Sequence, residues 1–166
     1  MAVTLRLAST SDASLLLPLV SAYHAFENIG AQLSDESRMA ALQPLLTPDS
    51  VAGRIWLIKE DGNAIGYLAL CFGYSIEFGG RDAFVDEFYI RPESRGQGIG
   101  ALCLERIKRE TQKLGIAALH LIVDRNNAPA QRLYAGQGFT ERERFQLLSC
   151  PLNSDQTPVR ALKGEA

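Results

Sequence analysis

Apolar side chains at Val3, Leu5 and Leu7 alternate with Thr4, Arg6 and Ala8, the period of two expected of a half-buried strand. Ser9-Thr10-Ser11-Asp12 then offers N-cap residues for a helix from about Ala13 to Glu27. Pro18 falls inside that helix and is expected to kink it. Ser34-Asp35-Glu36-Ser37 opens a second helix, stopped near Leu46 by Thr47-Pro48. Arg54 to Lys59 and Ala64 to Tyr74 read as strands joined at Asp61-Gly62-Asn63, a hairpin. Gly79-Gly80-Arg81-Asp82 reads as a further turn, and Ala83 to Ile90 as the third strand of a meander.

Pro92 closes that strand. A glycine loop leads into a helix from about Gly98 to Leu114, with Leu102, Cys103 and Ile107 on its apolar face and Gly115 just past its end. Ala117 to Val123 reads as a buried strand, and Ala128 to Gly136 as a helix with Pro129 in its first turn. Gly138-Phe139 starts a last strand region running to Leu152. The order predicts one mixed α/β domain over residues 1–152, followed by a tail over 153–166.

Composition narrows the function classes. Of 166 residues, 46% are hydrophobic and 22% charged, which excludes a disordered chain. Lys and Arg total 17 against 19 acids, a net charge of −2, so no nucleic-acid partner is expected. The three cysteines are far apart with no CxxC, and with only His24 and His120 no metal site is expected. No run of about 18 apolar residues suggests a membrane span, and the first residues lack a signal-peptide pattern, so a cytoplasmic location is expected.

The densest chemistry lies in Arg95-Gly96-Gln97-Gly98-Ile99-Gly100, between a strand and a helix. Glycines remove the Cβ atoms that would hold a ligand off the backbone, and free N–H groups at a helix start favour an anion. Arg95 adds positive charge. This suits a pyrophosphate. The Gly-Lys-Ser/Thr of a P-loop is missing, because Ala101 and Leu102 follow Gly100. The third glycine comes one residue early for a dinucleotide fingerprint.

Arg95-x-x-Gly98-x-Gly100 resembles the Gln/Arg-x-x-Gly-x-Gly/Ala signature of the GNAT superfamily, the Gcn5-related N-acetyltransferases. Asn127-Ala128-Pro129-Ala130-Gln131-Arg132-Leu133-Tyr134, followed by Gly138-Phe139, is similar to a second block of that family, in the right order. Phe84-Val85-Asp86-Glu87-Phe88-Tyr89-Ile90 through Gly100 resembles diamine and polyamine acetyltransferases in particular. The resemblance implies a single GNAT domain, with a mostly antiparallel sheet of about six to seven strands flanked by about four helices.

It also implies an acetyl-CoA site. The pyrophosphate would rest on Arg95, Gly96, Gln97, Gly98, Ile99, Gly100 and Ala101. The pantetheine arm would pair with the backbone of Phe88 and Ile90, and Asn127 would contact the co-substrate. An alkyl amine, with a pKa near ~10.4, must lose a proton before it attacks a thioester, and a carboxylate can take that proton. Comparison with the diamine acetyltransferases puts Asp86 at the base position, where a Glu is expected, with Glu87 beside it at a position able to bind a cationic amine. Strand alternation predicts that at most one of the two faces the acceptor. Tyr134 stands at the position of the acid that protonates the departing thiolate. Tyr23, His24, Phe26 and Glu27 fall where the family lines its acceptor pocket, against a reading as core aromatics with a solvated histidine.

The function these features predict is acetyl transfer from acetyl-CoA to a primary amine of a small molecule, a polyamine or an amino-acid-like compound, in a ternary complex. The alternatives are a protein lysine or N-terminal acetyltransferase and a non-catalytic acyl-CoA-binding module. A homodimer is expected by analogy alone.

Overall fold

The computed structural model describes residues 2–29, 33–150 and 152. The elements follow the chain as β1 (Val3–Leu7), α1 (Ala13–Phe26), α2 (Asp35–Leu46), β2 (Gly53–Glu60), β3 (Asn63–Ser75), β4 (Gly80–Ile90), α3 (Ile99–Lys113), β5 (Ile116–Leu121) and α4 (Ala128–Gly136). The strands form one sheet in the order β1-β2-β3-β4-β5. Every pairing is antiparallel except β4 with β5. That parallel step follows from the crossover through α3, which returns the chain to the sheet in the same direction.

Alternation along the strands builds two cores. Ile55, Leu57, Tyr67, Ala69 and Tyr89 pack under α1 and α2 with Leu16, Leu19, Val20, Leu42 and Leu46. Trp56, Leu68, Leu70, Ala83 and Val85 face the other way, against Leu104 and Ile107 of α3. The sheet is thus covered on both faces. Pro18 sits exposed within α1, so its missing N–H falls on the solvent side and the helix continues through it. Asp61 and Gly62 both take positive φ, the twist-matched turn that joins β2 to β3.

Two expectations about strands need correction. The turn before β4 is Ile76–Gly79 rather than 79–82, because Gly79 supplies the left-handed φ and Arg81 and Asp82 already pair with Tyr74 and Gly73. The sheet has five strands among the described residues, not six to seven, because 138–150 form none. Charge in that segment is spent elsewhere. Arg142 pairs with Glu77 at 2.8 Å, and both Arg142 and Arg144 stack on Phe145, leaving Leu147 and Leu148 exposed. The tail over 153–166 lies outside the described residues.

Candidate active site

The site grows from an irregularity in β4. Leu70 pairs with Val85 and Ala69 with Glu87, so Asp86 is an extra residue with nothing opposite, a β-bulge. The bulge flips the alternation. Ala83 and Val85 pack on the α3 side, whereas Glu87 and Tyr89 turn to the α1 side. At the bulge strict alternation lapses, so it does not by itself assign the two acids to opposite faces. The charges of Asp86 and Glu87 both bear on Tyr23 and Tyr67.

Glu87 is tightly held. Its Oε2 accepts from the Tyr67 hydroxyl at 2.5 Å, and its Oε1 lies 2.7 Å from His24 Nε2. Arg38 Nε donates to Nδ1 of the same ring at 3.3 Å. His24 is thus a buried, bonded residue and not a solvated one. Tyr67 is fully buried; burial first, then the charge of Glu87, drives its phenol pKa far up. Asp86 lies exposed at the cleft and accepts no hydrogen bond from the described residues. Its pKa is raised, by partial desolvation first and by Glu87 second, against a smaller lowering from His24.

The parallel ladder between β4 and β5 ends at Val85 and Leu121, while β4 runs on to Ile90. Beyond Val85 the edge of β4 facing β5 is therefore unpaired. The N–H of Arg91 donates to the Ile65 carbonyl, so by alternation Phe88 and Ile90 direct their backbone groups to the open side. One of these groups is engaged. The Ile90 carbonyl accepts from Arg95 Nε at 2.7 Å. The Arg95 side chain stacks on Phe26 and Tyr89.

Gly96 and Gly98 both hold positive φ, and a Cβ on either would meet nothing within 4 Å, so open space lies over the loop. Gly98 is the N-cap of α3, and no side chain caps that end. The N–H groups of Ile99, Gly100 and Ala101 accordingly have no partner within the helix. Gly100 serves packing, since a Cβ there would sit 3.0 Å from Leu133 of α4. A diphosphate fits this loop in shape and in donor chemistry.

Tyr134 rises from α4 with its ring edge-on to Phe139 at 5.8 Å between centroids. Burial, then the charge of Glu27, pushes its pKa up to about 12. Glu27 itself is raised by burial and by Asp124, against a lowering by Arg95. Asn127 caps α4, its Oδ1 accepting from the Ala130 N–H at 3.1 Å. That cap explains its conformation without a ligand, and leaves its amide N–H₂ for other partners. Tyr23 packs edge-on to Tyr67 and Tyr89 at 6.4 and 6.2 Å between centroids, and burial first, then the charges of Glu27 and Glu87, push its phenol pKa far up. Among the described residues no group of three or more His, Cys, Asp and Glu could hold a metal ion, and no helix is long and apolar enough to cross a membrane.

The profile of the acetyltransferase (GNAT) family matches residues 22–139, from the last turn of α1 through the bulge and the glycine loop to the end of α4. This chain belongs to the GNAT acetyltransferase family. As a member it is an acetyl-CoA-dependent N-acetyltransferase. An IAA acetyltransferase of Azospirillum brasilense is 30% identical to it over 112 residues, 68% of this chain and 69% of that one. Thialysine N-epsilon-acetyltransferase of Bos taurus is 34% identical over 82 residues, 48% of each chain. An integron cassette protein from the mobile metagenome of Cole Harbour Salt Marsh superposes with a TM-score of 0.77 at 34% identity, covering 90% of both chains.

Sequence reasoning missed the engagement of His24 and the stacking of Arg95 on Phe26. A polar residue among the core positions of α1 was the available signal for the first, because a buried imidazole needs a partner. Nothing in the spacing signalled the second.

Proposed function

We propose that this GNAT acetyltransferase acts on a small amine carrying a second positive charge, a polyamine or an amino-acid-like diamine. The observation that carries this reading is the pair Asp86 and Glu87 at one bulge, one free and one held, beside a tyrosine-lined cleft. A singly charged amine needs one carboxylate. The second anion favours a second cation. The bovine relative that acts on thialysine, a small diamine, supports the same class.

Acetyl-CoA supplies the acetyl group as a thioester. The free amides from Ile99 to Ala101, with the open space over Gly96 and Gly98, hold its diphosphate. The unpaired edge of β4 at Phe88 and Ile90 aligns the pantetheine arm, and the Phe88 N–H meets the developing oxyanion. Asp86, shorter than the Glu of related enzymes, takes the proton of the attacking ammonium through a water. Its raised pKa brings it nearer to the working pH of a base. Tyr134, protonated well past neutrality, gives its proton to the departing thiolate, whose intrinsic pKa is about 8.5.

Free-thiol release from acetyl-CoA tests the reading with spermidine, putrescine, thialysine, a monoamine of equal length and a lysine-containing peptide as acceptors. Turnover concentrated on the small diamines supports it. Turnover on the peptide alone, or equal turnover on the monoamine, overturns it.

A further inference from the structure

The hydrogen bonds around His24 determine where its proton sits. A guanidinium N–H only donates, and Arg38 Nε lies 3.3 Å from Nδ1, so Nδ1 must be the bare acceptor. In a neutral ring the proton is then on Nε2, which donates to Glu87 Oε1 at 2.7 Å. Protonating Nδ1 would expel the Arg38 N–H. Arg38 is braced in turn by Asp35 at 3.1 Å. Tyr67 supplies the second donor to Glu87, and its buried phenol cannot give up its proton there. A chain of contacts therefore runs Asp35, Arg38, His24, Glu87, Tyr67, crossing α2, α1, β4 and β3.

We propose that His24 is a positioning residue which, as the neutral Nε2–H tautomer, holds Glu87 as a fixed anion for the second cationic group of the acceptor. This rests on the acceptor reading above. Both donors to Glu87 are neutral, so they fix its oxygens without cancelling its charge. Two donors leave lone pairs on a carboxylate that has about four. The side chain of Glu87 remains 18% exposed, so a cation in the cleft can reach them. An imidazolium at His24 would cancel that charge. The arrangement divides the labour of the two acids: Glu87 is committed to binding, and Asp86, with no donor among the described residues, is left to accept the proton.

The tautomer is read directly by long-range proton–nitrogen NMR of protein labelled with ¹⁵N-histidine. The chain has two histidines, so a His120→Gln variant assigns the signals. A protonated Nε2 with a bare Nδ1 at neutral pH is expected. The opposite tautomer, or an imidazolium, overturns the proposal. The second arm uses spermidine as acceptor and thiol release as readout. His24→Leu and Tyr67→Phe each raise the KM for spermidine by about 10- to 100-fold, the weight of a hydrogen bond to a charged group, with the KM for acetyl-CoA unmoved. His24→Gln, whose amide can still donate to Glu87, recovers most of that loss. Equal losses in the Gln and Leu variants, or a fall in kcat with KM unchanged, overturn it. Tyr67→Phe removes only a hydroxyl and keeps the test valid if His24→Leu fails to fold. A wild-type protein that binds acetyl-CoA yet acetylates none of the amines sinks the acceptor reading, and the positioning role with it. The tautomer result still stands apart from that failure.

Discussion

The guanidinium of Arg95 lies 4.6 Å from the ring centroid of Phe26 and so ties the loop that enters α3 to the end of α1. Tyr89 takes the other contact at 5.5 Å, and the Ile90 carbonyl receives the Nε proton. Arg95→Ala loses a cation–π contact of about 0.5–1 kcal/mol and a hydrogen bond of about 1 kcal/mol. The expected result is an acetyl-CoA KM raised about 5- to 20-fold, measured by initial rates. Phe26→Ala gives a smaller rise in the same direction. An unchanged KM in both would mean that this tie does not shape the cleft.

Tyr134→Phe keeps the ring packed on Phe139 and removes the proposed proton donor. The expected fall in kcat is about 10²- to 10⁴-fold, with thermal stability unchanged. With its pKa pushed up to about 12, the phenol stays protonated through the alkaline range. Loss of rate between pH 9 and about 10 would therefore belong to another group. An alkaline limb in that range that vanishes in the Phe variant would contradict the assignment.

In its proposed role Asp86 must be ionised to accept a proton, and its pKa is raised. Activity should thus fall, as pH drops, at a higher pH than the ordinary carboxylate value of ~3.9. Glu87→Gln removes a like charge from its neighbour, which lowers the pKa of Asp86 and moves the acid limb of kcat to lower pH. Asp86→Asn abolishes that limb together with most of kcat. A limb that moves upward in Glu87→Gln would reverse the sign of the coupling.

Asp12 is buried, and Arg6 holds it at 2.6 Å, which keeps its pKa well below the usual carboxylate range. A depressed carboxylate stabilises the fold above its unfolded pKa of ~3.9 and loses that contribution as pH falls toward its folded value. Asp12→Asn should cost roughly 1–3 kcal/mol at neutral pH by urea unfolding. The difference from wild type should shrink below about pH 4. A difference that stays constant down to strongly acid conditions would show that the ion pair is not its source.

The strands, helices and glycine loop were legible because each carries a local signal. Leu57 and Trp56 face opposite cores as alternation demands, and Pro129 and Gly115 bound their helices where their backbone preferences put them. The bulge at Asp86 was not legible. Strand periodicity has no mark for an extra residue whose existence depends on the partner strand, and that residue decides which way Glu87 points. The stacking of Arg95 on Phe26 was not legible either, because that ring comes from α1, distant in sequence. The segment from Gly138-Phe139, read as a strand to Leu152, forms none among the described residues.

The early parting of β4 from β5 has a consequence for how such an enzyme can change. Glu87 and its holders lie on the face of the sheet under α1 and α2, while the glycine loop opens the helix packed on the opposite face. In the proposed reaction the slit between the strands is the passage from one face to the other. Substitutions in the first two helices can retune which acceptor enters while the donor half stays intact. A lineage can then drift across acceptors without relearning how to hold its acyl donor.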